Sequence, residues 1–189
     1  GVIGEVQTVS ACFGGRMDYL PHQRAFRPDL AGGALLDGGV YPIGLIHMIL
    51  GTPRRVIADA AFLESGVDGD VAAILDYPGQ NGIAMTSIRT TLDGTAKIYG
   101  TEGMIAIPGT HANPAYIDVH FPGKESRHID CLPTRDRLAY QAEAVQMAIG
   151  QGLTECTLMP LAESVAIMGT LDQVREQIGL RYPDEVEAL

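Results

Sequence analysis

The 189-residue sequence has no tryptophan and only two lysines, Lys97 and Lys124. Acidic residues outnumber basic ones by 23 to 13, leaving a net charge of −10. That balance argues against nucleic acid and anionic membrane as partners, because a phosphate-binding surface needs clustered Lys and Arg. No run approaches the ~18 uninterrupted apolar residues of a membrane helix. The most apolar stretch, Ile43 to Leu50, is short and contains His47. The segment Gly1 to Val6 lacks the basic-then-apolar pattern of a secretory signal. The three cysteines, Cys12, Cys131 and Cys156, are odd in number and form no CxxC pair, which suits free thiols in a reducing, cytoplasmic compartment. The five histidines show no zinc-type spacing and no HExxH, so no metal site is expected. No GxGxxG occurs either, so the sequence has no fingerprint for a dinucleotide pyrophosphate.

What is present is a core. Hydrophobic residues make up 46% of the chain and charged residues 19%, enough for one packed domain without an internal linker. Ile3 to Phe13 reads as a strand, followed by a polar loop from Gly14 to Asp29. Ala34 to Leu50 reads as a helix stopped by Gly51 and Pro53. Strand patterns then follow at Arg54 to Leu63, Asp70 to Tyr77, Gly82 to Leu92, Thr95 to Tyr99, Met104 to Ile107 and Tyr116 to Phe121. Asp136 to Ile149 returns to helical spacing, with Leu138, Ala142, Val145 and Ala148/Ile149 on one side. Leu161 to Ile178 forms a last helix with a stripe of Leu161, Val165, Met168, Leu171 and Val174/Ile178. Segregated strands and helices predict an α+β fold: a large mixed, mostly antiparallel, open-faced sheet with helices packed on one face. The strands at 70–77 and 82–92 carry apolar groups on both faces. The uncovered face therefore predicts an interface, either a homo-oligomer or an interdomain contact.

The informative segment is Gly32-Gly33-Ala34-Leu35-Leu36-Asp37-Gly38-Gly39-Val40-Tyr41-Pro42. At helical spacing Asp37, Tyr41, Gly44 and Met48 share one narrow face. Leu36, Val40, Ile43, His47 and Leu50 share the core face, where His47 reads as structural. Asp37 and Tyr41 lie about one turn apart, so a carboxylate and a phenol can orient a hydroxylated substrate and move one proton. Gly38, Gly39 and Pro42 all weaken a helix interior, and local rules broken together mark function or close packing. Spacing alone favours the plainer account: an N-terminal helix charge, a core aromatic and a close-packed glycine surface.

The longer segment from Arg24 to Pro42, reading RAFRPDLAGGALLDGGVYP, closely resembles the signature that opens the C-terminal domain of the glucose–fructose oxidoreductase and inositol dehydrogenase family. Weaker matches follow in the family's order at Ile3–Val6, Gly100–Gly103, Tyr140–Val145 and Met159–Ser164. The resemblance implies that Asp37 binds substrate hydroxyls, that Tyr41 is the acid/base beside a nicotinamide, and that Arg24 lines the cleft. A Tyr at this position resembles the sugar oxidoreductase and dihydrodiol dehydrogenase branches, whereas inositol dehydrogenases have His. Arg27 departs from the acidic residue found there in the family.

The implied function is the substrate side of an NAD(P)-dependent oxidoreductase that moves hydride to or from a carbinol of a sugar, polyol or dihydrodiol. Residues 1–189 would be the substrate-binding and dimerisation domain. NAD or NADP would be bound mainly by a Rossmann domain absent from this chain, so the chain alone is expected to be inactive. The rival expectation is a non-catalytic ligand-binding or dimerisation module.

Overall fold

The computed structural model describes residues 1–131 and 137–183. Eight strands form one sheet: β1 (Val6–Gly14), β2 (Arg55–Phe62), β3 (Asp68–Tyr77), β4 (Gln80–Ser87), β5 (Ala96–Gly100), β6 (Met104–Ile107), β7 (Tyr116–His120) and β8 (Arg127–Asp130). Their spatial order is β2-β3-β4-β1-β5-β6-β7-β8. Only β1 against β4 is parallel; every other pairing is antiparallel. Among the described residues three α-helices accompany the sheet: α1 (Val40–Leu50), α2 (Arg137–Gly150) and α3 (Leu161–Ile178). This is the mixed, mostly antiparallel sheet predicted from the sequence.

The core lies between the sheet and the α1/α3 layer. From the sheet it takes Val9, Ala11, Val56, Val71, Leu75 and Ile98; from the helical layer it takes Leu35, Ile43, Ile46, Ile167, Leu171 and Val174. Alternation along each strand sends these residues to one face. Burying each Leu or Ile contributes roughly 1.5–3 kcal/mol. α1 ends at Gly51, whose positive φ of 75° halts the helix while its N–H bonds the His47 carbonyl at 2.8 Å. α3 ends in the same way at left-handed Gly179, with Leu180 N–H closing on Arg175 O at 3.0 Å. His47 is buried against α3, its Nε2 2.8 Å from Thr170 Oγ1. Burial lowers its pKa, with nearby Glu163 acting in opposition.

The opposite face carries an apolar ladder. Ile57, Ile74 and Ile83 lie in register across β2, β3 and β4, and each is more than two-fifths exposed.

Some expectations shift. The strand expected to run to Leu92 stops at Ser87, because the Ser87 hydroxyl accepts the N–H groups of Arg89 and Thr90 and turns the chain. β8 was not predicted: its four residues are all exposed at a sheet edge and only Ile129 is apolar, so no alternation announces it. The α2 stripe is largely outside the core. Leu138, Val145 and Ile149 are exposed and only Ala148 is buried. On α3 the buried face is Ile167, Thr170, Leu171 and Val174, leaving Leu161, Val165 and Met168 of the predicted stripe exposed. α1 and α3 already cover the apolar face of the sheet.

Candidate functional site

The site begins at the turn feeding α1. Leu35–Gly39 forms a wide π-type turn that runs directly into the helix. Such turns arise where side chains or close packing interrupt regular winding. Gly38 supplies the close packing, since a Cβ there would come within 2.7 Å of Thr86 Oγ1 on β4. The missing side chain lets the turn sit flat on the sheet, and Asp37 and Tyr41 project outward as their spacing predicts. Tyr41 is 46% exposed and is no core aromatic. Its ring rests on Phe13 at the end of β1, with centroids 4.4 Å apart.

Arg24 arrives from a short 3-10 turn, Arg24–Phe26. The turn is stitched to the base of the helix by two backbone bonds: Gly32 N–H to Arg27 O and Gly33 N–H to Ala25 O, both 2.9 Å. Arg24 Nη2 donates to Asp37 Oδ1, and its Nη1 reaches Ala31 O at 3.4 Å. The structure thus brings Arg24 and Asp37 together, while the exposed Tyr41 packs instead on Phe13. Arg27 turns to Asp29 instead, and this ion pair lowers the pKa of the Asp29 carboxyl. At Asp37 opens a cleft of about 340 Å³ lined by Phe13, Gly14, Arg16, Asp37, Gly38 and Ile88. Chemically, the site offers a charged pair to orient a hydroxyl and a phenol to exchange its proton.

Two contributors carried weaker sequence signals. Phe13 read only as a strand residue. Asp68 read only as a turn residue before a strand, yet it is fully buried and its Oδ2 accepts the Leu35 N–H at 2.6 Å. Burial pushes its pKa up to about 6, with the Leu35 N–H acting in opposition. The sign of the linkage follows. The unfolded carboxyl ionises near pH 4 while the folded one holds its proton to about 6, so the contribution of Asp68 to stability is most favourable below pH 4 and falls as pH rises through that window. A shift of about two units costs roughly 3 kcal/mol at neutral pH. Denaturant unfolding from pH 4 to 7 is expected to show this fall in the wild-type chain and to lose it in Asp68→Asn.

Among the described residues no group of three or more His, Cys, Asp or Glu side chains could hold a metal ion. No described helix N-terminus follows a GxGxxG loop, so the described residues offer no cradle of that type for a dinucleotide pyrophosphate.

Comparison with known proteins places this geometry. The sequence model of the GFO/IDH/MocA C-terminal domain matches residues 1–106. A trans-1,2-dihydrobenzene-1,2-diol dehydrogenase of Xenopus tropicalis is 35% identical over 192 residues, covering 96% of this chain and 57% of that protein. Its counterpart in Mus musculus is 33% identical over 199 residues, covering 98% and 57%. The chain thus spans just over half the length of these relatives. Among solved structures, KijD10, a 3-ketoreductase of Actinomadura kijaniata in complex with NADP, superposes with a TM-score of 0.81 at 23% identity, covering 94% of this chain and 55% of that one. An aldose–aldose oxidoreductase of Caulobacter crescentus gives 0.79 at 17%, covering 94% and 54%. At these identities the structural likeness speaks for the fold alone.

Proposed function

Because this chain belongs to the GFO/IDH/MocA C-terminal domain family, we propose that it forms the substrate side of an NAD(P)-dependent oxidoreductase acting on a hydroxylated small molecule. The observation that carries the reading is the Arg24–Asp37 pair at a cleft lined by Asp37 and Phe13, with the exposed Tyr41 ring resting on Phe13. The dihydrodiol dehydrogenase relatives support a dihydrodiol carbinol as the reacting group, and the family resemblance extends the class to sugars and polyols. When bound, the nicotinamide supplies the hydride acceptor or donor. Asp37 orients the substrate hydroxyl, Arg24 fixes the Asp37 carboxylate, and the Tyr41 hydroxyl takes or returns the proton. Phe13 holds the phenol ring in place. The uncovered face with its Ile57–Ile74–Ile83 ladder suits a second copy of the protein.

The test is a full-length protein, including whatever precedes this chain, assayed with NAD and NADP against sugars, polyols and dihydrodiols. Nicotinamide-dependent turnover of at least one class is expected. Cofactor binding with no turnover of any would replace this reading with the binding-module alternative.

Arg16 refines the substrate class. It lines the same cleft as Asp37 and, among the described residues, forms no ion pair. An open guanidinium there favours substrates with a carboxylate or phosphate. Arg16→Gln is expected to raise KM for a sugar acid or sugar phosphate by roughly fivefold, the scale of a solvent-exposed charge contact. KM for a neutral polyol should stay constant; an equal change for both would remove Arg16 from recognition.

A further inference from the structure

The geometry points to Asp68 as a positioning residue for this site: its buried carboxylate fixes the turn from which Asp37 and Tyr41 project. The assignment rests on the reading of the site given above. Asp68 opens β3 and has no solvent exposure. Its Oδ2 accepts the backbone N–H of Leu35, two residues before Asp37 and six before Tyr41. Its Oδ1 has no hydrogen-bond partner among the described residues and occupies the space a Cβ on Gly33 would need, 2.0 Å from where that atom would stand.

Two further bonds hold the same four residues. Thr86 Oγ1 on β4 donates to Ala34 O at 3.2 Å, and the Tyr182 hydroxyl beyond α3 donates to Gly32 O at 2.9 Å. Three elements thus converge on Gly32–Leu35, and of the three contacts only that of Asp68 is ionisable at neutral pH. The cation on this side is Arg175 of α3, which stacks on the Tyr182 ring at 4.8 Å and acts on Asp68 through its charge.

A wholly buried carboxylate is a poor choice for stability alone, since burial disfavours its charge. Its value lies in placement. A carboxylate at the start of a helical turn draws the first free N–H groups toward itself and complements the dipole of the turn. An amide of the same shape can keep one acceptor oxygen for the Leu35 N–H, but it turns an NH₂ toward Gly33 and loses the charge that complements the turn's dipole. The anchor of the turn is then weakened although the core volume is unchanged. A group that costs stability yet fixes an active segment is the expected form of a stability–function trade-off.

The experiment compares wild type and Asp68→Asn in the full-length protein, with Tyr41→Phe alongside. Three readouts are taken: the thermal midpoint at neutral pH, steady-state kinetics, and amide hydrogen exchange resolved to peptides. Asp68→Asn is expected to keep or raise the midpoint, to lower kcat at least tenfold, and to speed exchange within residues 33–41 only. Wild-type kcat with unchanged exchange overturns the assignment. So does a lowered midpoint with faster exchange across the whole sheet, which would make Asp68 a general structural residue. Normal turnover in Tyr41→Phe overturns the reading of the site itself and the assignment with it; normal turnover in Asp68→Asn alone overturns only the assignment.

Discussion

Tyr41→Phe in the full-length protein is expected to lower kcat by about 10²- to 10⁴-fold with little change in KM, the span of a lost general acid–base group. The substitution removes one oxygen and nothing else. The ring stays on Phe13, whose centroid is 4.4 Å away, and neither the π-type turn nor the core depends on the hydroxyl. A fall in kcat without a fall in thermal stability would therefore report chemistry. The pH profile of kcat/KM should lose one limb at the same time. Asp37→Asn is a useful companion, because it breaks the pair with Arg24 and removes the acceptor for a substrate hydroxyl. Its effect should appear mainly in KM. If Tyr41→Phe turns over like wild type with an unaltered pH profile, the proton must travel by another group.

Gly33→Ala should be among the most destabilising single substitutions in the chain, costing about 3 kcal/mol or more through left-handed backbone strain and a direct clash. Gly33 sits at φ +114°, and an added Cβ would meet Asp68 Oδ1 at 2.0 Å. Asp68 cannot yield cheaply, being short, fully buried and bonded to Leu35 N–H. Gly179→Ala is the control. It too has a positive φ, +74°, in the left-handed region, but its Cβ would meet nothing within 4 Å, so only the strain of roughly 1 kcal/mol applies. Urea midpoints of the two variants separate clash from strain. Equal losses would mean that Asp68 does not press against Gly33. In a double variant with Asp68→Ala, part of the Gly33→Ala loss should be recovered, because the two residues compete for one space.

The strand and helix pattern was legible because period-2 and period-3.6 alternation survive wherever one face is buried. For Asp37 and Tyr41 periodicity gave only a shared helix face; spacing alone favoured a core aromatic, and the site roles came from the family resemblance. Arg24 came from family resemblance, since nothing in a loop sequence says that it folds back onto a helix thirteen residues later. Gly38 was legible as an anomaly but not as a contact, because Thr86 lies forty-eight residues further along. Asp68 was hidden by its own sequence context. Gly66-Val67-Asp68-Gly69-Asp70 reads as a polar turn, and only the fold shows that the first of its two acidic residues points inward while Asp70 pairs with Arg89 near the surface. The α2 stripe misled for the opposite reason: helical periodicity identifies an apolar face but not what it packs against.

The placing of β1 has a consequence for how the chain assembles. It alone joins the β2–β3–β4 sheet half to the β5–β8 half, and its partner residues on β4 lie more than seventy positions later, as in Thr8 with Asn81. Both flanking hairpin arrays can form from near neighbours, whereas the strand between them must wait for each to be ready. Contacts of such sequence separation are the slow ones. During synthesis this segment would emerge before its partner strands and be secured late, spending that interval unpaired and open to chaperone capture or wrong partnering.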